Sequence, residues 1–231
     1  KVCFQYFKSQ PVTCWFNSDV YSSGSGLAAS SAYLNAFISA MSTFQNRKIS
    51  QMGICSLSHK LEKKFNPLTG YQDPYGCGLP GFKKLNFRYN ATPTVELLNT
   101  EVLDGLSLYL VHTGLARKST SVLSTVDPHK CYGLLDVVNE MYGAILEKDQ
   151  NKLLTMVNEG WIIKKSTSKV IAENEKIVSM DAFLSSNPNV LAHRLLGAGN
   201  GGYFLFFTKS NYDVSTISKG LNKRVIKIEI D

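Results

Sequence analysis

The chain has 231 residues, 44% hydrophobic and 19% charged, with a formal net charge of +7 and a pI near 9.1, long enough to bury a real core as one domain or two closely joined lobes. No apolar run approaches the ~18 residues of a membrane span, no secretory leader is read at the front, and the five cysteines, odd in number and without CxxC spacing, read as reduced thiols of a cytoplasmic protein. The basic residues are spread out, densest at Lys60, Lys63, Lys64 and at Lys219, Lys223, Arg224, Lys227, with no aromatics interleaved, which favours a solvated basic surface over a nucleic-acid interface and a positive field that attracts anions.

In chain order, Val2 to Phe7 and Thr13 to Asn17 read as an entry strand. Gly24-Ser25-Gly26-Leu27-Ala28-Ala29-Ser30-Ser31 then opens into a helix from about Ser30 to Phe44. A second helix, Ile54 to Phe65, has Ile54, Leu57, Leu61 and Phe65 at helical spacing, ends at Asn66-Pro67 and carries Glu62. Gly70-Tyr71-Gln72-Asp73-Pro74-Tyr75-Gly76 is turn-rich and leads to a strand at Lys84 to Tyr89. Glu101 to His112 reads as a hairpin turning at Asp104-Gly105. Helices are expected at Pro128 to Glu147, Gln150 to Asn158 and Asn174 to Ser186, a strand at Gly201 to Thr208, a short helix at Val214 to Gly220 and a last strand at Arg224 to Ile230. Strands and helices intermix without a strict βαβ repeat, so the fold class is α+β, an α/β sandwich.

Three stretches carry chemistry. At the Gly24–Ala32 junction, unpartnered N–H groups of a first helical turn, the helix dipole and glycines that let oxyanions approach make a natural phosphate cradle. Alone it reads more readily as an ordinary N-cap and close-packing device, and Leu27 after Gly26 excludes a P-loop lysine. Glu62 and Asp73, eleven residues apart, supply the two carboxylates that phosphoryl transfer requires, one for a metal and one for the acceptor hydroxyl; the plain alternatives are a solvated Glu62 and an Asp73 capping a turn. Gly197-Ala198-Gly199-Asn200-Gly201-Gly202 before Tyr203-Phe204-Leu205-Phe206-Phe207 allows close backbone approach, or a tight bulge entering a buried strand. The four histidines (His59, His112, His129, His193) are widely separated, and no Gly-x-Ser-x-Gly elbow is present. The Asn90-Ala91-Thr92 sequon reads as chance.

These pieces, in this order, resemble the GHMP small-molecule kinases, and within them the D-glycero-D-manno-heptose phosphate kinase branch (7-phosphate or 1-phosphate). Ser18-Asp19-Val20 with Gly24-Ser25-Gly26-Leu27, Gly70-Tyr71-Gln72-Asp73-Pro74-Tyr75, His112-Thr113-Gly114 with Arg117, Trp161 with Lys164-Lys165, and Arg194 before Gly197 to Gly202 carry the likeness. The resemblance implies two lobes, a ribosomal protein S5 domain 2-like N-terminal one at 1–95 and a ferredoxin-like C-terminal one at 96–231. It implies ATP and Mg2+ as cofactors. Gly24, Ser25, Gly26, Leu27, Ala28, Ala29, Ser30 and Ser31 would wrap the ATP phosphates, Ser30 and Glu62 would hold magnesium, and Asp73 would deprotonate or align the acceptor hydroxyl. Gly197, Ala198, Gly199, Asn200 and Gly201 would line the acceptor side, with Arg117 as a phosphate clamp or else an ordinary surface arginine.

Several positions depart from the family pattern. Ala28 stands where glycine is usual, Ala29 where serine or glycine is common, and Leu79-Pro80-Gly81-Phe82 replaces a Gly-Gly-Phe segment. The family's front strands and Gly-Gly-Gly-Thr-Asp-like motif do not precede this loop, so the chain reads as a fragment or incomplete gene model. The expected activity is transfer of the γ-phosphoryl of ATP to a sugar or sugar phosphate, most closely a heptose phosphate. Alternatives are a non-catalytic binding or regulatory relative and a kinase for fucose, galactose or mevalonate. The expected partners are ATP and the small acceptor, with room for a homodimer and none for nucleic acid or membrane.

Overall fold

The computed structural model describes residues 2–9, 12–18, 24–88, 91–116 and 119–230. The chain divides into two units, Lys1–Ser23 with Ala28–Leu97 and Gly24–Leu27 with Leu98–Asp231. Arg117, the Asp19-Val20 lead-in, Tyr89 and the sequon's Asn90 lie outside the described residues.

In the first unit, α1 (Val2–Phe7) stands where an entry strand was expected. Cys3 and Phe7, four residues apart, share one helical face and bury in the core, and no strand forms at 12–18. That core also takes Phe37, Ile38 and Met41 from α2 (Ala29–Phe44) and Ile54 and Leu61 from α3 (Gln51–Glu62). Ser50 caps α3, its hydroxyl accepting from the Gly53 N–H. The Asp73 segment is the first turn of a short helix, α4 (Gln72–Gly78), rather than a bare turn. Strand β1 (Lys83–Asn86) pairs antiparallel with β2 (Thr94–Leu97), which the sequence reading did not anticipate.

The second unit is built on a four-stranded antiparallel sheet of β3 (Leu106–His112), β4 (Ala192–Leu195), β5 (Tyr203–Lys209) and β6 (Val225–Ile228), in the order β4-β5-β3-β6. Helices α5 (Ser119–Leu123), α6 (Gly133–Glu147), α7 (Gln150–Thr167) and α8 (Glu175–Ser186) lie between β3 and β4, and α9 (Ser215–Leu221) between β5 and β6. The result is a β-α-β-β-α-β unit with a ferredoxin-like strand order. No hairpin turns at Asp104-Gly105: Glu101–Leu103 is a 3-10 turn, and Gly105, at φ +74°, accepts from the Ser210 N–H and leads into β3. The partners of β3 lie far along the chain, out of reach of any local pattern.

Helix α7 runs on past Asn158 because Gly160 is a packing device and not a stop. A Cβ there would stand 3.3 Å from Val137 Cγ1 of α6. The helix also closes the outer edge of β4. Asn158 Oδ1 accepts from the His193 N–H at 3.0 Å, its Nδ2 donates to Leu191 O at 3.3 Å, and Lys164 Nζ donates to Leu195 O at 3.2 Å, which satisfies groups that an open edge would expose. Beneath, Trp161 meets Phe204 edge-to-face in a core with Val111, Ile177, Leu184, Leu195 and Phe206. Asp181 accepts from Trp161 Nε1, Lys165 Nζ and His193 Nε2 at 2.7, 2.7 and 2.8 Å. Burial pushes its pKa up, but those three donors outweigh it and bring the carboxyl down to about 2. No helix among the described residues is long and apolar enough to cross a membrane.

Candidate active site

Gly24 and Gly26 have φ of +61° and +79°, conformations that glycine adopts without penalty. Between them Ser25 is buried, its Oγ accepting from the Leu27 N–H at 3.2 Å and its carbonyl from the Tyr203 N–H at 3.1 Å. The segment Gly24–Leu27 is therefore docked on the first residue of β5. Gly202 makes the docking possible: a Cβ there would stand 2.1 Å from Ser25 O, so only glycine fits.

The 197–202 loop is a run of left-handed backbone, with Gly197, Gly199, Asn200, Gly201 and Gly202 at φ +65°, +105°, +56°, +141° and +94°. Much of it is spent on packing. A Cβ at Gly201 would lie 2.8 Å from Leu115 O and one at Gly199 2.8 Å from Ile171 Cγ2; the Asn200 N–H donates to Ile171 O, and Ala198 rests against the core. Among the described residues, the N–H groups of Gly199 and Gly201 make no backbone hydrogen bond, and both residues are buried. Arg117 lies outside the described residues.

Helix α2 follows the loop with Ala28 as N-cap at φ +56°, and no side chain caps its first amides, so the donors around Ala29, Ser30 and Ser31 keep their anion-binding character. The hydroxyl that meets Glu62 is that of Ser31, while Ser30, expected beside Glu62 as a magnesium ligand, is exposed. Ser31 Oγ donates to Glu62 Oε2 at 2.6 Å, with both residues buried. Ser31 lies on the inward face of α2, where the end of α3 delivers Glu62.

One turn further along α2, Asn35 Nδ2 donates to Pro74 O at 2.9 Å and fixes α4. Gly78 allows that contact, since a Cβ there would come within 2.5 Å of both Asn35 Nδ2 and Cys55 Sγ. Asp73 thus stands exposed in the first turn of a helix held against α2, where the helix dipole favours a carboxylate. His59 stacks on Tyr71 with ring centroids 3.9 Å apart and bonds Gly70 O at 3.2 Å, bracing the approach to α4. Burial, then the Lys63 charge, pushes the His59 pKa down. The Cys77 thiol, which donates to Asp73 O, is pushed up to about 11 by burial and the Asp73 charge, so it is no nucleophile at neutral pH.

Among the described residues no cation pairs with the buried Glu62, and no group of three or more His, Cys, Asp or Glu gathers as a metal cage. One buried carboxylate with a hydroxyl beside it fits magnesium, a hard cation that takes few protein ligands and completes its shell with water and phosphate oxygens. Ser185, His193 and Asp181 offer no rival site: Ser185 Oγ and Asp181 Oδ1 both meet His193 Nε2, whereas a catalytic triad uses the two ring nitrogens.

Residues 1–81 match the family model of the GHMP kinases N terminal domain. Among solved structures, the Lactococcus lactis galactokinase complexed with galactose superposes with TM-score 0.73 at 13% identity, over 92% of this chain and 68% of that one. This is the GHMP-kinase fold. A D-glycero-D-manno-heptose 1-phosphate kinase from Bacteriodes thetaiotaomicron shares it with TM-score 0.66, 19% identity, and 97% and 67% coverage. Streptococcus pneumoniae phosphomevalonate kinase, in complex with phosphomevalonate and AMPPNP, shares it with TM-score 0.69, 10% identity, and 84% and 66% coverage. The chain spans 62 to 68% of the length of these and similar solved GHMP-fold chains. No curated protein sequence matches it. The family-model match is confined to the first 81 residues, and the structural likeness, at these identities, is one of fold.

Sequence reasoning missed Ser31 as the Glu62 partner, and Asn35 and Thr113 as supports. The i, i+4 spacing of Ser31 and Asn35 on a helix whose apolar face was legible carried the signal for the first two. Thr113, which holds Gly202, had none, because its partner is 89 residues away.

Proposed function

We propose that this protein is a magnesium-dependent small-molecule kinase that moves the γ-phosphoryl group of ATP to a hydroxyl of a sugar or sugar phosphate, with a heptose phosphate as the favoured acceptor. The observation that carries the reading is the buried Ser31–Glu62 pair at the uncapped start of α2. It is a preformed hard-oxygen site beside amides suited to phosphate. The backbone of Gly24 to Leu27 and the first turn of α2 bind the triphosphate, while Glu62, with Ser31 or Ser30, holds magnesium. Once bound, that ion neutralises phosphate charge as it develops. Asp73 receives the acceptor hydroxyl as a hydrogen bond and takes its proton as the phosphorus–oxygen bond forms. The loop from Gly197 to Gly201, with Arg117, serves the acceptor side. The heptose choice rests on Gly70 to Tyr75 and His112 to Gly114, and on a heptose 1-phosphate kinase among the structural neighbours.

A second reading, a nucleotide-binding relative without catalysis, is favoured by Ala28, which takes a left-handed conformation where a glycine would be unstrained. ADP release measured with a panel of heptose phosphates, galactose, fucose and mevalonate separates the readings. The kinase reading expects magnesium-dependent turnover with one phosphorylated sugar above the rest. Nucleotide binding without turnover on any acceptor would favour the second.

A further inference from the structure

The phosphate loop is anchored through the peptide group between Gly202 and Tyr203. The amide joining Gly202 to Tyr203 presents its N–H to Ser25 O at 3.1 Å, and its oxygen is held from the other side by one residue, Thr113. Thr113 N–H donates to Gly202 O at 2.8 Å and Thr113 Oγ1 donates to the same oxygen at 2.9 Å, so both lone pairs of that carbonyl are engaged. The hydroxyl is fully buried and also accepts from the Leu115 N–H at 3.3 Å, while Leu115 O accepts from the Gly202 N–H at 3.0 Å. His112 supports the turn, its Nδ1 accepting from the Gly114 N–H at 3.1 Å and its ring lying 4.7 Å from that of its cross-strand partner Tyr203.

Gly202 and Tyr203 have little intrinsic reason to hold this orientation. Having no Cβ, Gly202 puts little steric restraint on the plane of the peptide that follows it, and turning that plane would point the carbonyl, not the N–H, at Ser25 O. Two donors on the oxygen fix the plane and polarise the amide, which strengthens the bond its N–H makes. We propose that Thr113 is a positioning residue for nucleotide binding: by fixing the Gly202–Tyr203 peptide it sets the conformation of Gly24–Leu27, the loop that receives the phosphates. The functional half of this inference rests on the kinase reading; the structural half does not.

The test compares Thr113→Val, which keeps the shape and loses the hydroxyl, with Thr113→Ser, which keeps the hydroxyl. Backbone amide exchange at Tyr203 is followed without ligand, and AMPPNP affinity is measured with magnesium. Thr113→Val should speed Tyr203 exchange and weaken AMPPNP about tenfold each, the worth of one buried hydrogen bond. Thr113→Ser should stay within about threefold of the parent in both. Unchanged Tyr203 exchange in Thr113→Val overturns the proposal, and so does accelerated exchange with unchanged AMPPNP affinity. A parent protein that does not bind AMPPNP refutes the kinase reading and the functional half together, while the exchange data still decide the peptide-holding role.

Discussion

Asp73 and Asp181 are two carboxylates held in opposite surroundings. Asp73 is exposed on a helix start pinned by Asn35, so removing its charge should leave the fold intact. Asp73→Asn is expected to lower kcat by about 10²- to 10⁴-fold, the range for a lost general base, with AMPPNP affinity unchanged. Steady-state kinetics and a binding titration check it, and full turnover in the variant would remove Asp73 from the chemistry. Asp181 is structural. Its carboxyl titrates near 2 instead of the ordinary 3.8, so its stabilisation is complete above pH ~4 and disappears as pH falls from about 4 towards 2. That shift corresponds to about 2 kcal/mol. Asp181→Asn should lose at least about that much at pH 7 and flatten the acid limb, as read from urea midpoints across this window. The sequence made Asp73 legible through its neighbours, whereas Asp181 gave no local signal: its three partners come from α7 and β4.

Among the elements, α2 and α8 were read closely, whereas α7, expected to stop at Asn158, runs to Thr167, and short or non-local features were missed. Helix α2 and the cap at Asn174 of α8 follow their sequence signals. The six residues of α1 are too few to separate alternation from helical spacing, and Asp104-Gly105 has the composition of a hairpin turn while serving as a strand entry. The glycine loop was noticed for its composition, yet which glycines are obligatory depends on what approaches them. Gly202→Ala puts a methyl group 2.1 Å from Ser25 O and should cost more than about 4 kcal/mol or prevent folding of the second unit. Gly105→Ala, at φ +74° with nothing within 4 Å, should cost only about 1–2 kcal/mol. Denaturant midpoints of the two variants test the contrast, and equal losses would contradict it.

At the scale of the whole chain, the segment that reads as one phosphate motif is divided by the fold. Gly24–Leu27 belongs to the second unit, docked on β5, while Ala28 starts the stretch that enters α2 of the first. Order and spacing in the sequence exposed the loop, Glu62 and the glycine run. They could not expose the supports, because Asn35, Thr113 and Tyr203 act through contacts 39 to 178 residues away in sequence. The reading as a whole depends on a magnesium–nucleotide complex being received by the loop and the Ser31–Glu62 pair. Calorimetric titration of AMPPNP into the protein and into Glu62→Gln, each with and without magnesium, tests that most directly. The account predicts binding that magnesium strengthens in the parent and loss of that magnesium effect in Glu62→Gln. No binding in the parent, or binding equally strong with and without magnesium in both, would contradict it.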